Sequence, residues 1–176
     1  MNVRQFNHTQ PQMGKGVYID IQSCVIGKVH LGNDVSIWPM AVLRADVNTI
    51  TIGQGSNIQD NCTLHVTHQT TNQPNGAPLV IGESVTVGHR VVLHGCTIGN
   101  RCLIGISATI LDNVIVQDEV LIGSGTLVPP GKILESGWLY LGVPAKRIRP
   151  LSDRERDHFT YSAQHYIDLK NQHAHS

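Results

Sequence analysis

Aromatic residues are scarce: two Phe, two Trp and four Tyr make up 5% of 176 residues. That excludes a core built on large rings. The abundance of Ile, Val and Gly points instead to a narrow interior of branched aliphatics, with turns at glycine. An excess of either charge is also absent, since 13 Lys plus Arg meet 13 Asp plus Glu. No basic face is implied, so nucleic acid is not an expected partner. No apolar run approaches the roughly 20 residues of a membrane span. The polar segment 1–15 has no signal-peptide core. The four cysteines, Cys24, Cys62, Cys96 and Cys102, form no CxxC pair. Buried free thiols in a reducing cytoplasm are the plain reading, ahead of a disulfide or a thiolate metal site.

What the chain does have is a beat of six. An aliphatic residue recurs at Leu31, Ile37, Leu43, at Ile52, Ile58, Leu64, at Ile81, Val87, Leu93, and then through Ile98, Ile104, Ile110, Val116, Ile122 and Val128. Four positions after many of these stands a small or β-branched residue, among them Val35, Ala41, Cys62, Val85, Val91, Cys102, Ala108 and Thr126. A unit of fixed length stacked on itself is a solenoid. Six residues suffice for a short strand and a corner, so three units make one triangular coil. The predicted fold is an all-β solenoid, a parallel β-helix of hexapeptide repeats, closed by a C-terminal α-helix.

Four zones are expected: an N-terminal arm over 1–15, the β-helix over 16–134, a closing turn over 135–150, and a helix with its tail over 151–176. Ser152 followed by Glu155 is a capping-box signature. Phe159, Ala163, Tyr166, Ile167 and Leu169 then follow on roughly one helical face. Packing against one side of the solenoid is the expected role of this helix, rather than a catalytic one. The tail from His173 is expected to fray.

Three irregularities interrupt the beat: three extra residues before Ile52, eleven extra before Ile81, and one missing before Ile98. All fall between face 3 of one coil and face 1 of the next, where a corner absorbs them. The longest, about His68 to Pro78, is a loop by its Asn, Gly and Pro content. This register positions three histidines. His65 follows Leu64 by one and His94 follows Leu93 by one, so both lie on face 3, one coil apart, with Arg44 completing the column below. His89 follows Val87 by two, on face 2, above Asp60. Stacked strands lie about 4.8 Å apart, so His65 and His94 can share a metal bonded at about 2.0–2.1 Å. His89 is too far round the prism to join them within one chain. It reaches them if face 2 of a second chain docks on face 3 of the first. A head-to-tail contact of that kind closes into a ring, which suggests a homotrimer with three intersubunit metal sites.

At Asn57-Ile58-Gln59-Asp60-Asn61, at His65, and at Val87-Gly88-His89-Arg90-Val91-Val92-Leu93-His94-Gly95-Cys96, the chain resembles the γ-class carbonic anhydrases, in particular compact bacterial members of the YrdA type. The resemblance runs from about Gly16 through Tyr161-Ser162-Ala163. It implies a left-handed β-helix, a homotrimer, and a zinc site, with iron(II) or cobalt(II) as alternatives, held by His65 and His94 with His89 from a neighbour. It further implies that Arg44 and Asp60 form an interface ion pair, that Asp46 belongs to the same structural set, and that Gln59 orients the water that attacks carbon dioxide to give bicarbonate. Two glutamates of the archetypal enzymes are replaced here by Val47 and His68. His68 is a candidate proton relay, with a solvated loop histidine as the alternative. Weak turnover is therefore expected. Three other functions stay open: a coenzyme A thioester hydrolase, a hexapeptide acyltransferase (Leu141 to Lys146 resembles the turn of that group), and a non-catalytic metal-binding trimer.

Overall fold

A computed structural model describes residues 2–174, which leaves 175 and 176 of the expected tail outside the described residues. The hexapeptide beat folds as counted. On face 2, Ile19, Ile37, Ile58, Val87, Ile104, Ile122 and Tyr140 stack in one parallel column. Face 3 stacks Val25, Leu43, Leu64, Leu93, Ile110 and Val128. Face 1 stacks Met13, Leu31, Ile52, Ile81, Ile98, Val116 and Leu134. The result is a left-handed parallel β-helix. Its strands are mostly two residues long, because six residues per side leave no more once the corner is made. The three extra residues before Ile52 lie within one continuous strand, Val42–Ile52, which bends from face 3 onto face 1.

From Ser84 to Gly125 each corner turns on one residue in the left-handed region. Ser84, Arg90, Gly95, Arg101, Ser107, Asn113, Glu119 and Gly125 all have φ between 49° and 68°. Their spacing is six except for the five-residue step from Arg90 to Gly95, which is the deletion counted in the sequence. Non-glycine residues there cost about 1 kcal/mol each, which the closed ladder on both sides outweighs. Inside, the aliphatic column and the small slots at Val35, Ala41, Cys62, Val91, Cys102 and Ala108 are buried. Burial of each larger aliphatic side chain contributes about 1.5–3 kcal/mol. Cys62, Cys96 and Cys102 are free and buried, and burial pushes each thiol up to about 12. They remain protonated at neutral pH and serve as small apolar fillers.

Segment 1–15 carries two short strands, Val3–Arg4 and Gln12–Met13, both paired with Cys24–Leu31. At the other end Lys146–Pro150 pairs antiparallel with Trp138–Leu141 and reverses the chain. The helix α1, Asp153–His173, then runs back along face 2. Its capping box forms as expected, with Ser152 and Glu155 satisfying each other's backbone N–H. Phe159 packs with Leu139 and Leu151 against Leu103 and Leu121. Lys170, 1% exposed, pairs with Asp34 at 3.0 Å and ties the far end of α1 to an early coil. The helix covers face 2 and leaves the Asp60–His89 corner half-exposed. What face 2 leaves free is its corner.

Two measurements test this account of the fold. Thr126 occupies a small slot with its Oγ1 buried and unpartnered among the described residues. Thr126→Val is therefore expected to stabilise the protein by about 1 kcal/mol, read as a raised melting temperature; a lowered one would contradict the unpaired hydroxyl. The Arg149 guanidinium, with the Ser152 backbone N–H, holds the Glu155 carboxyl down to about 2, from 4.5. A group depressed on folding stabilises above its unfolded value and loses that contribution as pH falls through its folded one. Glu155→Gln should thus be less stable than the parent above pH 4.5, with the gap narrowing as pH falls towards about 2 in urea melts.

Candidate metal centre

The ladder carries Leu93 on Leu64 and therefore His94 on His65. Their rings lie 5.1 Å apart between centroids, and His65 Nδ1 stands 3.1 Å from His94 Nε2. On the adjoining corner, the pairing of Val87 with Ile58 sets His89 above Asp60, and His89 Nδ1 meets Asp60 Oδ2 at 2.8 Å. The register counted in the sequence thus brings together His65 with His94, and His89 with Asp60. The three histidines do not converge within the chain. Among the described residues no group of three His, Cys, Asp or Glu is placed to hold a metal.

Each histidine is backed by a carboxylate. His65 Nε2 donates to Asp46 Oδ1 at 3.0 Å. His94 Nδ1 donates to Asp112 Oδ1 at 2.5 Å, and Asp112 Oδ2 accepts from Thr67 Oγ1 at 2.6 Å. Such partners fix the tautomer and aim the other ring nitrogen. Burial alone would raise the Asp46 carboxyl, but the hydrogen bonds from His65 and Arg44 more than reverse this and hold it below the usual carboxylate range.

The tautomers have a consequence. A neutral imidazole has one N–H. If His65 gives its proton to Asp46 and His94 gives its proton to Asp112, two lone pairs face each other at 3.1 Å. That contact is repulsive unless a proton or a metal cation lies between them. Two nitrogens bonded at about 2.0–2.1 Å to one tetrahedral ion would stand about 3.3–3.4 Å apart, close to the observed separation. His89, with Nδ1 held by Asp60, presents Nε2 from a half-exposed corner. The donor set fits a divalent ion whose third imidazole comes from elsewhere.

The other expected residues divide. Arg44 pairs with Asp46, and Asp60 with His89, so Arg44 and Asp60 are not paired with each other within the chain. Gln59 is buried, and its Nε2 donates to Asn57 Oδ1 at 3.2 Å. Val47 and His68 are both exposed, and His68 makes no hydrogen bond to His65, His94 or Asp46 among the described residues. Asp112 was missed by sequence reasoning. It lies two positions past Ile110, in the corner above Gly95, whose carbonyl accepts from Asn113 N–H. Extending the column from His94 by one coil reaches Leu111, one residue short of it.

Residues 95–130 match the family described as bacterial transferase hexapeptide (six repeats). The protein YrdA of Escherichia coli is 54% identical over 97% of this chain and 92% of its own length. The mitochondrial gamma carbonic anhydrase 3 of Arabidopsis thaliana is 47% identical over 99% of this chain and 66% of its own. A hexapeptide transferase family protein from Anaplasma phagocytophilum superposes with a TM-score of 0.89 at 34% identity, covering 96% of this chain and 95% of that one.

The carboxylate behind His94 can be tested alone. Asp112→Ala should lower zinc affinity about 10–100-fold in a chelator competition, with the fold intact by circular dichroism. Unchanged affinity would remove Asp112 from the site.

Proposed function

The chain belongs to the γ-class carbonic anhydrase-like hexapeptide-repeat proteins, and from that premise we propose that it catalyses the reversible hydration of carbon dioxide to bicarbonate at metal sites shared between the protomers of a homotrimer. The observation that carries this reading is the pair His65–His94, two carboxylate-backed imidazoles facing each other at 3.1 Å, with a third such imidazole on a neighbouring corner. His65 and His94 of one protomer and His89 of the next would hold the metal. Zinc suits three imidazoles and a water, and iron(II) or cobalt(II) also fit. A metal held there would supply a Lewis acid that lowers the pKa of a water to about 7.

The chain's own residues do the rest. Asp46, Asp60 and Asp112 hold the three rings in their ligating orientation. Gln59 spends its Nε2 on Asn57, which leaves its carbonyl oxygen to accept a hydrogen bond from the attacking water and so orient it. Arg44 and Asp60 would pair across the interface, since each protomer leaves them apart. Docking proceeds corner to face, because α1 covers face 2. Val47 carries no proton, and His68 on its exposed loop is the one group in the neighbourhood proposed to ferry protons to solvent. With neither of the archetypal acids present, turnover is slow. The free cysteines fit a reducing cytoplasm, and no helix is long and apolar enough to cross a membrane.

Complementation tests the shared site. His65→Ala and His89→Ala proteins should each lose metal and hydratase activity. Denatured together and refolded, they should regain both at roughly a quarter of the sites, the share at which an intact His89 meets an intact His65–His94 pair. No recovery in mixed trimers would rule out sharing. Stopped-flow hydration beside thioester hydrolysis and acyl-transfer assays separates the chemistries, and turnover in none of them would leave a metal-binding trimer without catalysis.

A further inference from the structure

The amide of Gln59 is the end of a buried chain of hydrogen bonds that starts on α1. Ser162 Oγ lies 2.9 Å from Thr86 Oγ1. Thr86 Oγ1 accepts from Asn57 Nδ2 at 3.1 Å, and Asn57 Oδ1 accepts from Gln59 Nε2 at 3.2 Å. All four residues are at most 7% exposed. Gln59 Oε1 has no hydrogen-bond partner among the described residues, and Gln59 lines a cavity of about 310 Å³ between face 2 and α1, with Gly88, Ile106, Ser162 and Tyr166; Gly88 precedes His89 in the chain.

Proton accounting gives this chain a direction. The Thr86 hydroxyl has one proton and two neighbours, Asn57 and Ser162. Asn57 offers it an N–H, so Ser162 Oγ is the partner left for the proton of Thr86, and of the two directions open at that contact the one that leaves no buried Thr86 proton unpaired has Thr86 as donor. Ser162 is therefore the acceptor that lets Asn57 present its amide nitrogen to Thr86 and its oxygen to Gln59. Remove that acceptor, and the Thr86 proton has one partner left. Asn57 must then turn its oxygen to Thr86 and its nitrogen to Gln59. Gln59 in turn must offer Oε1 inward and its NH2 to the cavity. Every bond except the one to Ser162 is remade, so stability changes little, but the group facing the cavity becomes a donor where an acceptor stood.

We propose that Ser162, acting through Thr86 and Asn57, is a positioning residue that determines which end of the Gln59 amide faces the metal site. The proposal rests on the orienting role given above to Gln59 and adds a function for α1, whose register alone would mark it as packing. Thr86 and Asn57 transmit the setting, and Ser162 is its source because it lies on a different element from the other three.

The test reads Gln59 directly. In the metal-loaded protein, labelled with ¹⁵N-glutamine and assigned against Gln59→Glu, the Gln59 side-chain NH2 should exchange with solvent slowly. Ser162→Ala, which suits a helix, should speed that exchange by about tenfold or more, the loss of one inward hydrogen bond. Its melting temperature should barely change. Ser162→Thr, which keeps the hydroxyl, should restore slow exchange. In hydration assays kcat should fall by about tenfold in Ser162→Ala with KM unchanged, and Ser162→Thr should recover it. Unchanged Gln59 exchange in a folded Ser162→Ala protein, or failure of Ser162→Thr to restore it, overturns the proposal. A parent protein that hydrates no carbon dioxide would strike the proposed function alone, since the exchange measurement requires no turnover.

Discussion

The parallel ladder runs without slip from Val25 to Val128 on face 3 and from Ile19 to Tyr140 on face 2. Everything functional hangs on that register. A strand spacing of about 4.8 Å is what puts two imidazoles within reach of one ion, and it does so only if Leu64 and Leu93 stack. A slip of one residue would send His94 to the opposite side of the strand, towards the interior. The buried aliphatic columns prevent this, because each inward Ile, Leu or Val would have to exchange places with an outward polar neighbour. The apolar core therefore does more than stabilise: it sets the positions of His65, His89 and His94 through their neighbours in sequence.

The irregularities respect the same rule. The eleven-residue insertion after His65 leaves from a corner and is tied down by polar contacts, with Asn48 donating to the carbonyls of Thr67 and Asn75. Gln73 reaches Asn113, and Thr67 donates to Asp112. Asp112 thus faces two ways, to the loop through one oxygen and to His94 through the other. The loop and the orientation of a candidate ligand are held by a single carboxylate, so a change in the loop at Thr67 would be felt at His94 before it was felt in the core.

Much of this was legible in the sequence, and the limits have physical causes. Coil register, the His65–His94 column, His89 above Asp60 and the Ser152–Glu155 cap all follow from spacing, because a solenoid converts separation along the chain into position. The corners were not legible: Arg90, Arg101 and Glu119 adopt positive φ, and nothing in those residue types announces it. Asp112 was hidden by its offset of one from the histidine column. The course of α1 was hidden because its buried set includes Ser162 and Lys170 beside Phe159 and Ala163. Polar residues at buried helix positions weaken the periodic signal. They are also the positions where the helix does something other than pack, since Lys170 anchors it to Asp34 and Ser162 enters the hydrogen-bond chain to Gln59.

The placement of α1 also constrains assembly. By covering face 2 it protects Leu103, Leu121 and Leu139 from water and leaves the Asp60–His89 corner as the projecting edge of each protomer. With the site shared as proposed, a metal ion bound there is simultaneously a ligand of two chains and adds its binding free energy to their association. Metal affinity and trimer stability are then one linked quantity: dilution loosens the metal and chelation loosens the trimer. Neither the His65–His94 pair nor His89 can adapt to compensate, because all three are seated on a ladder whose spacing is set by backbone hydrogen bonds. A solenoid suits such a site because it holds each half rigid and incomplete until a second copy of the same chain supplies the rest.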